Sequence, residues 1–265
     1  MLNMLRADLY KIYKSSTIKL LFGITALCAV IMTIMSYLIP QGKLNTGTTG
    51  IGFLFSDINM ISILGAALAG VFICSDFENK SIHEAITCGI GRGSIILSKA
   101  FSYFCAVAFV LMPYAVAAAI ALGTGYNFSM GNVGIGFLNL ITENAHRTYG
   151  ISGVLKLAVV MLTLMLVYVA QLSLCVPLAI VLKKPVFVVA IYYGFTILCA
   201  QLIGLRKSSE VFADIFAATP YGGNHTLLTA GSEAGDVIKA IVVNLIFIVI
   251  MLAATYGLFR KTEIK

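Results

Sequence analysis

Long uncharged stretches alternate with short polar ones along this chain. Six windows, 20–39, 58–75, 100–122, 157–182, 185–205 and 240–259, contain no Asp, Glu, Lys or Arg. A helix needs about 20 such residues to cross a bilayer. Runs such as LAVVMLTLMLVYVA are apolar on every side, so the alternation of a barrel with a polar lumen is absent. Hydrocarbon offers no water to backbone groups, and helices satisfy those groups internally. The pattern therefore predicts an all-α integral membrane protein with six transmembrane helices in a single domain over 1–265.

The flanking segments add detail. In residues 1–17, Leu2, Leu5, Leu9 and Ile12 recur at helical spacing while Arg6, Lys11 and Lys14 lie elsewhere around the wheel, which predicts an amphipathic interfacial helix. The first connection on the far side, 40–57, reads as a plain loop rich in Gly and Thr. The second, 123–156, contains the short apolar run VGIGFLNLI. The third, 206–239, contains VFADIFAATPYGGNHTLL, with Val211, Phe212, Ile215 and Phe216 on one face ahead of Pro220. Both apolar runs predict short helices lying on the membrane or dipping into it, where protein or a water-filled cavity must cover their backbone. The first apolar window starts late and lacks a small-residue cleavage pattern before Pro40, so all six spans are expected to stay.

Composition agrees: 60% of the 265 residues are hydrophobic and 11% charged, against about 25% charged in soluble domains. The net charge of +7 reads as a topology signal. Of 18 Lys and Arg, six (Lys43, Arg147, Lys156, Arg206, Lys207 and Lys239) fall in the far-side connections, and the other twelve share a side with the termini. The positive-inside rule puts that richer side in the cytoplasm. Nucleic acid is not an expected partner, because no soluble basic face exists. The six cysteines include no CxxC pair: Cys28, Cys105, Cys175 and Cys199 fall inside spans, Cys74 at a span end and Cys88 in a polar segment, and small apolar packing explains most of them.

That polar segment, SDFENKSIHEAITCGIGRGSIILSK at 75–99, is an island between two apolar windows. Ser81 and Glu84 have capping-box spacing, and Ser75 with Glu78 repeats it. A short helix over about 82–88 follows, with Ile82, Ala85 and Ile86 on one face and Gly89 as its stop. A helix of two turns is unstable alone in water. Something must pack against it, and its charged face (Glu78, Lys80, His83, Glu84, Arg92) suits a protein partner, the alternative being a loop that lies on the bilayer. GIGRG is not a phosphate loop, having neither GxGxxG spacing nor a preceding strand. At the single Gly-Lys pair, Gly42-Lys43, Tyr37 stands where the first Walker glycine belongs.

A basic amphipathic N-terminal helix, six spans, and a D-F-E-N-K-S-I island ending G-x-x-R-G-x-x-x-x-S-K resemble the type 2 permease family of ATP-binding-cassette exporters. Within that family the chain resembles compact bacterial members such as lantibiotic-immunity and bacitracin-resistance permeases. The resemblance implies a multi-pass protein of a bacterial inner or plasma membrane with both termini cytoplasmic. It implies a coupling helix between spans 2 and 3, with Asp76, Glu78, Lys80, His83, Glu84 and Arg92 docking on a separate, dimeric ATPase subunit. ATP and Mg would sit on that partner, with no cofactor in this chain, and a second permease copy or a related permease would complete the assembly. It further implies short helices before span 6, resembling Val211–Leu228, and export of an amphipathic or apolar cargo, with antimicrobial peptides the leading case.

Two other classes compete. A secondary transporter or channel working alone commonly carries ionisable residues within its spans, and none falls in the six windows. An intramembrane enzyme needs paired acids, a Ser–His pair or a His-rich metal site, and the three histidines, His83, His146 and His225, all lie outside the windows; the two loop histidines are expected in solvent. An uncharged pathway fits an apolar cargo. Its candidate lining is Asn59 and Ser62 in the second span and Tyr192, Tyr193, Thr196 and Gln201 in the fifth; helix-to-helix hydrogen bonding is the alternative role for such residues, and Gly65, Ala66, Ala69 and Gly70 mark close packing.

Overall fold

The computed structural model describes residues 2–44, 49–129, 134–143, 151–205, 210–222 and 224–261. Every regular element among them is helical. Six helical stretches are long and apolar enough to cross a membrane: Ser16–Leu38, Asp57–Glu78, Arg92–Thr124, Ile151–Leu182, Pro185–Leu202 and Ala234–Arg260. The chain is a multi-pass membrane protein. Part of the 123–156 connection, with His146 and Arg147, and Arg206, Lys207 and Lys265 lie outside the described residues.

The first helix, α1 (Leu2–Lys14), leads into the first span, α2 (Ser16–Leu38). A short helix, α3 (Thr49–Leu54), stands where the sequence suggests a plain loop. The second span is composite: α4 (Asp57–Ala69), a π-helical turn at Gly70–Cys74, and α5 (Ser75–Glu78). The island helix α6 (Ser81–Thr87) follows, then the third span α7 (Arg92–Thr124). At 33 residues and 1.5 Å per residue, α7 is about 50 Å long, so it extends well beyond a hydrocarbon layer about 30 Å thick.

Small residues set the spacing inside the bundle. Gly65, Ala66, Ala69 and Gly70 are the contact points of the second span: a Cβ on Gly65 would strike the Leu172 side chain, and one on Gly70 would lie 2.7 Å from Pro185 Cβ. The fourth span is broken. Helix α9 (Ile151–Leu172) ends and α10 (Cys175–Leu182) begins across Ser173 and Leu174. Pro177 explains the break, because it has no N–H for the Ser173 carbonyl and its ring clashes with that residue. Carbonyls released there are taken by tyrosines: Tyr221 donates to Gln171 O at 2.7 Å and Tyr103 to Leu172 O at 3.4 Å.

Two connections at the end of the bundle opposite the island fold back into it. Helix α8 (Phe137–Glu143) is buried along Phe137–Ile141. Between α11 (Pro185–Leu205) and α13 (Ala234–Lys261), helix α12 (Glu210–Ala217) and a 3₁₀ turn at Asn224–Thr226 bracket Tyr221. The Tyr221 ring meets Phe195 at 5.1 Å and Phe247 at 6.2 Å, both within spans. The two connections join where Gly136 N–H donates to Thr226 O at 2.8 Å.

Candidate functional site

At the island end, charges are buried and paired. Lys99 Nζ lies 2.6 Å from Asp76 Oδ2 and also bonds Asp8, while Lys11 Nζ reaches Asp76 Oδ1 at 2.7 Å. Ser98 donates to Asp8 Oδ2 at 2.9 Å. Asp8 and Asp76 are both buried. The network ties α1, α5 and the first turns of α7 together. It also sets the orientation of α1, whose Asp8 and Ile12 turn toward the protein while Leu9 is exposed. Periodicity alone assigned that helix to lipid; the buried carboxylate at Asp8 is what redirects it.

Asp76 therefore does not stand on a docking face. It is enclosed by two ammonium groups and braces the island from within. Arg92 is half-buried and already engaged: it donates to Arg260 O at 2.9 Å and lies 6.0 Å from the Phe259 ring, holding the C-terminal end of α13. Glu78, Lys80 and Glu84 are exposed and His83 is half-buried, so these four form the available polar surface. On the opposite side of α6, Ile82 is buried, with Ala85 and Ile86 packed against the core.

Neither capping box forms. Lys80, with a left-handed φ of 58°, occupies the N-cap position of α6, and Ser81 Oγ donates instead to Asp76 O at 3.2 Å. Ser75 sits in continuous helix and donates back to Val71 O. Ser-x-x-Glu spacing was present, but the chain turns one residue earlier than a Ser cap requires. The predicted stop is correct: Gly89 has φ 81°, its N–H bonds Ile86 O at 2.9 Å, and Ile90 N–H bonds Ala85 O at 3.0 Å. That pair of bonds is the Schellman arrangement.

In the bundle, a cavity of about 340 Å³ lies between α4, α9, α11 and the folded-back Tyr221 segment. Asn59, Ser62, Tyr193 and Thr196 line it together with Gln171, Ile197 and Tyr221, and among the described residues no Asp, Glu, Lys, Arg or His does. Two of the six expected lining residues fall elsewhere: Tyr192 is buried and Gln201 is exposed. The polar residues give their protons to nearby carbonyls: Asn59 Nδ2 to Phe53 O (2.8 Å), Ser62 Oγ to Ile58 O (2.6 Å), Thr196 Oγ1 to Tyr193 O (2.7 Å) and Gln171 Nε2 to Pro220 O (2.9 Å). What remains facing the cavity is mainly apolar.

Asp57 is a further residue that the six windows passed over. It heads the second span, is fully buried, and accepts from Tyr168 OH and, at 2.9 Å, from Phe137 N–H. It thereby pins α8 to the second and fourth spans. A lone acid at the edge of an apolar window is the signal that identifies it. His225, expected in solvent, is 4% exposed, and its Nε2 meets Ala217 O at 3.0 Å. Burial, helped by nearby Lys239 and opposed by the Ala217 bond, holds this imidazole below its ordinary pKa. Among the described residues no group of three His, Cys, Asp or Glu could hold a metal. No protein-family model matches the chain, and no curated protein matches it.

Proposed function

We propose that this chain is the membrane-spanning permease subunit of an ATP-driven exporter, moving an amphipathic or apolar cargo such as an antimicrobial peptide. The observation that carries the reading is the island. A helix of seven residues and the turn leading into it carry exposed Glu78, Lys80 and Glu84 with half-buried His83, on a base braced by the buried Lys99–Asp8–Asp76 network. Holding so short a helix in place requires that bracing, and a rigid polar knob suits a protein groove. In this reading the island end is cytoplasmic, ATP and Mg belong to a dimeric partner ATPase, and a second permease copy completes the pathway. The uncharged cavity supports an apolar cargo.

A secondary transporter acting alone is the second reading, and buried Asp57 favours it, since ion-coupled carriers place acids within their spans. One experiment separates the two. Tagged chain is isolated from its native membranes in mild detergent, as wild type and as Glu78→Lys/Glu84→Lys. The exporter reading expects an ATP-hydrolysing subunit with the wild type, reduced at least tenfold with the charge-reversed variant. No such subunit in the wild-type eluate, with transport by the chain alone in liposomes, would establish the second reading instead.

A further inference from the structure

A second cavity, about 270 Å³, opens at the end of the bundle opposite the island, where the folded-back segment meets the start of α13. Among the described residues it shares only Leu227 with the central cavity's lining. Its polar wall consists of Asn224, His225, Ser232, Asp236 and Lys239. Asp236 and Lys239 are exposed, one turn apart on the same helix, and neither has an ion-pair partner among the described residues. A pocket offering one separate charge of each sign suits a zwitterion.

His225 sharpens the chemistry. Ala217 O only accepts, so Nε2 carries the ring proton and donates at 3.0 Å; in the neutral ring Nδ1 is then an acceptor. The wall thus offers an ammonium donor in Lys239 and two acceptors in Asp236 and His225. Below Lys239, Val242, Ile246 and Val249 follow at helical spacing and are 49%, 54% and 65% exposed. An apolar stripe that begins directly under a polar pocket matches a molecule with a polar head and a hydrocarbon tail.

We infer that this pocket holds the phosphoethanolamine head group of a phospholipid, its phosphate on Lys239, its primary ammonium on Asp236 and His225, and its acyl chain along Val242, Ile246 and Val249. A quaternary choline has no N–H to give to His225 or Asp236, and a glycerol head has no cation for Asp236. The pocket therefore selects ethanolamine lipids over both. A water-soluble phosphoethanolamine ester shares the head-group chemistry but leaves the stripe uncovered.

The full chain in detergent tests this, with thermal stability followed as short-chain phosphatidylethanolamine, phosphatidylcholine, phosphatidylglycerol or soluble glycerophosphoethanolamine is added. Binding to the folded state alone at a hundredfold excess over Kd raises the melting temperature of a chain this size by about 5–10 °C. A saturable rise of that order is expected with phosphatidylethanolamine, less than a third of it with the other lipids, and little with the soluble ester. Lys239→Gln and Asp236→Asn, both on exposed side chains, should fold normally and each lose most of the rise. Equal stabilisation by the three lipids, an undiminished rise in the Lys239→Gln/Asp236→Asn double variant, or a full rise with the soluble ester would each overturn the assignment to a lipid head group.

Discussion

Removing the Lys99 ammonium would leave Asp8 and Asp76 buried with only the half-exposed Lys11 to balance them. Breaking a buried pair in this way typically costs about 3–5 kcal/mol. Lys99→Ala should therefore lower thermal stability markedly, and adding Asp8→Asn and Asp76→Asn should recover much of the loss; an unchanged melting curve for Lys99→Ala would remove the network from the account. His225 behaves differently. Its pKa is held below the ordinary value of 6.5, so the folded state binds fewer protons than the unfolded one. Its contribution is full above the ordinary value and is lost as pH falls through the lowered one. Lys239 and Asp236 are the charged groups that share its cavity. Acidification from pH 7.5 to 5 should loosen the 210–228 segment, followed by hydrogen exchange, and His225→Gln should blunt that response. Asp76 and His225 stood out in the sequence but their partners did not, because pairing of Asp8 with Lys99 or His225 with Ala217 is set by tertiary contact and leaves no local spacing to read.

The elements themselves were far more legible. Six spans appear because lipid tolerates so few charges, yet the helices run past the uncharged windows at several ends, as α7 does in beginning at Arg92. Helical hydrogen bonding does not stop where hydropathy drops, so Asp57, Asp76 and Lys99 belong to spans that the windows had closed too early. Gly89 was readable as a stop since only a left-handed residue fits there, whereas the Ser81 cap failed because Lys80 took the left-handed position first. Pro177, four residues beyond Ser173, was the available sign of the broken fourth span. The connection carrying α8 gives a test at this scale. A Cβ on Gly136 would strike the Tyr168 hydroxyl and the Asp57 carboxylate, and φ there is 65°. Overpacking typically costs about 1–3 kcal/mol and the left-handed backbone about 1–2 kcal/mol. Gly136→Ala should release α8, seen as faster proteolysis or exchange in 134–143, while Gly123→Ala, with open space around it, should not.

The whole molecule has two unlike ends joined by an apolar body. At one, α1, α5, α6 and the start of α7 form a charged, braced platform. At the other, two connections fold inward, fixed by Asp57 and by the bonds of Gln171 to Pro220 O and from Tyr221 OH. Composition and charge made the membrane class legible. The cavity was legible in part, through Asn59, Ser62, Tyr193 and Thr196; Gln171 and Tyr221 joined it because a broken helix and a folded-back connection meet there. The exporter account stands on the island meeting an ATPase, and a photo-crosslinking amino acid at Glu84 tests that contact in the intact membrane, with one at Glu233 on the opposite end as reference. The account predicts an adduct with an ATP-hydrolysing subunit from position 84 and none from 233. Adducts from position 84 with lipid alone, in a chain that is inserted and transport-competent, would contradict it.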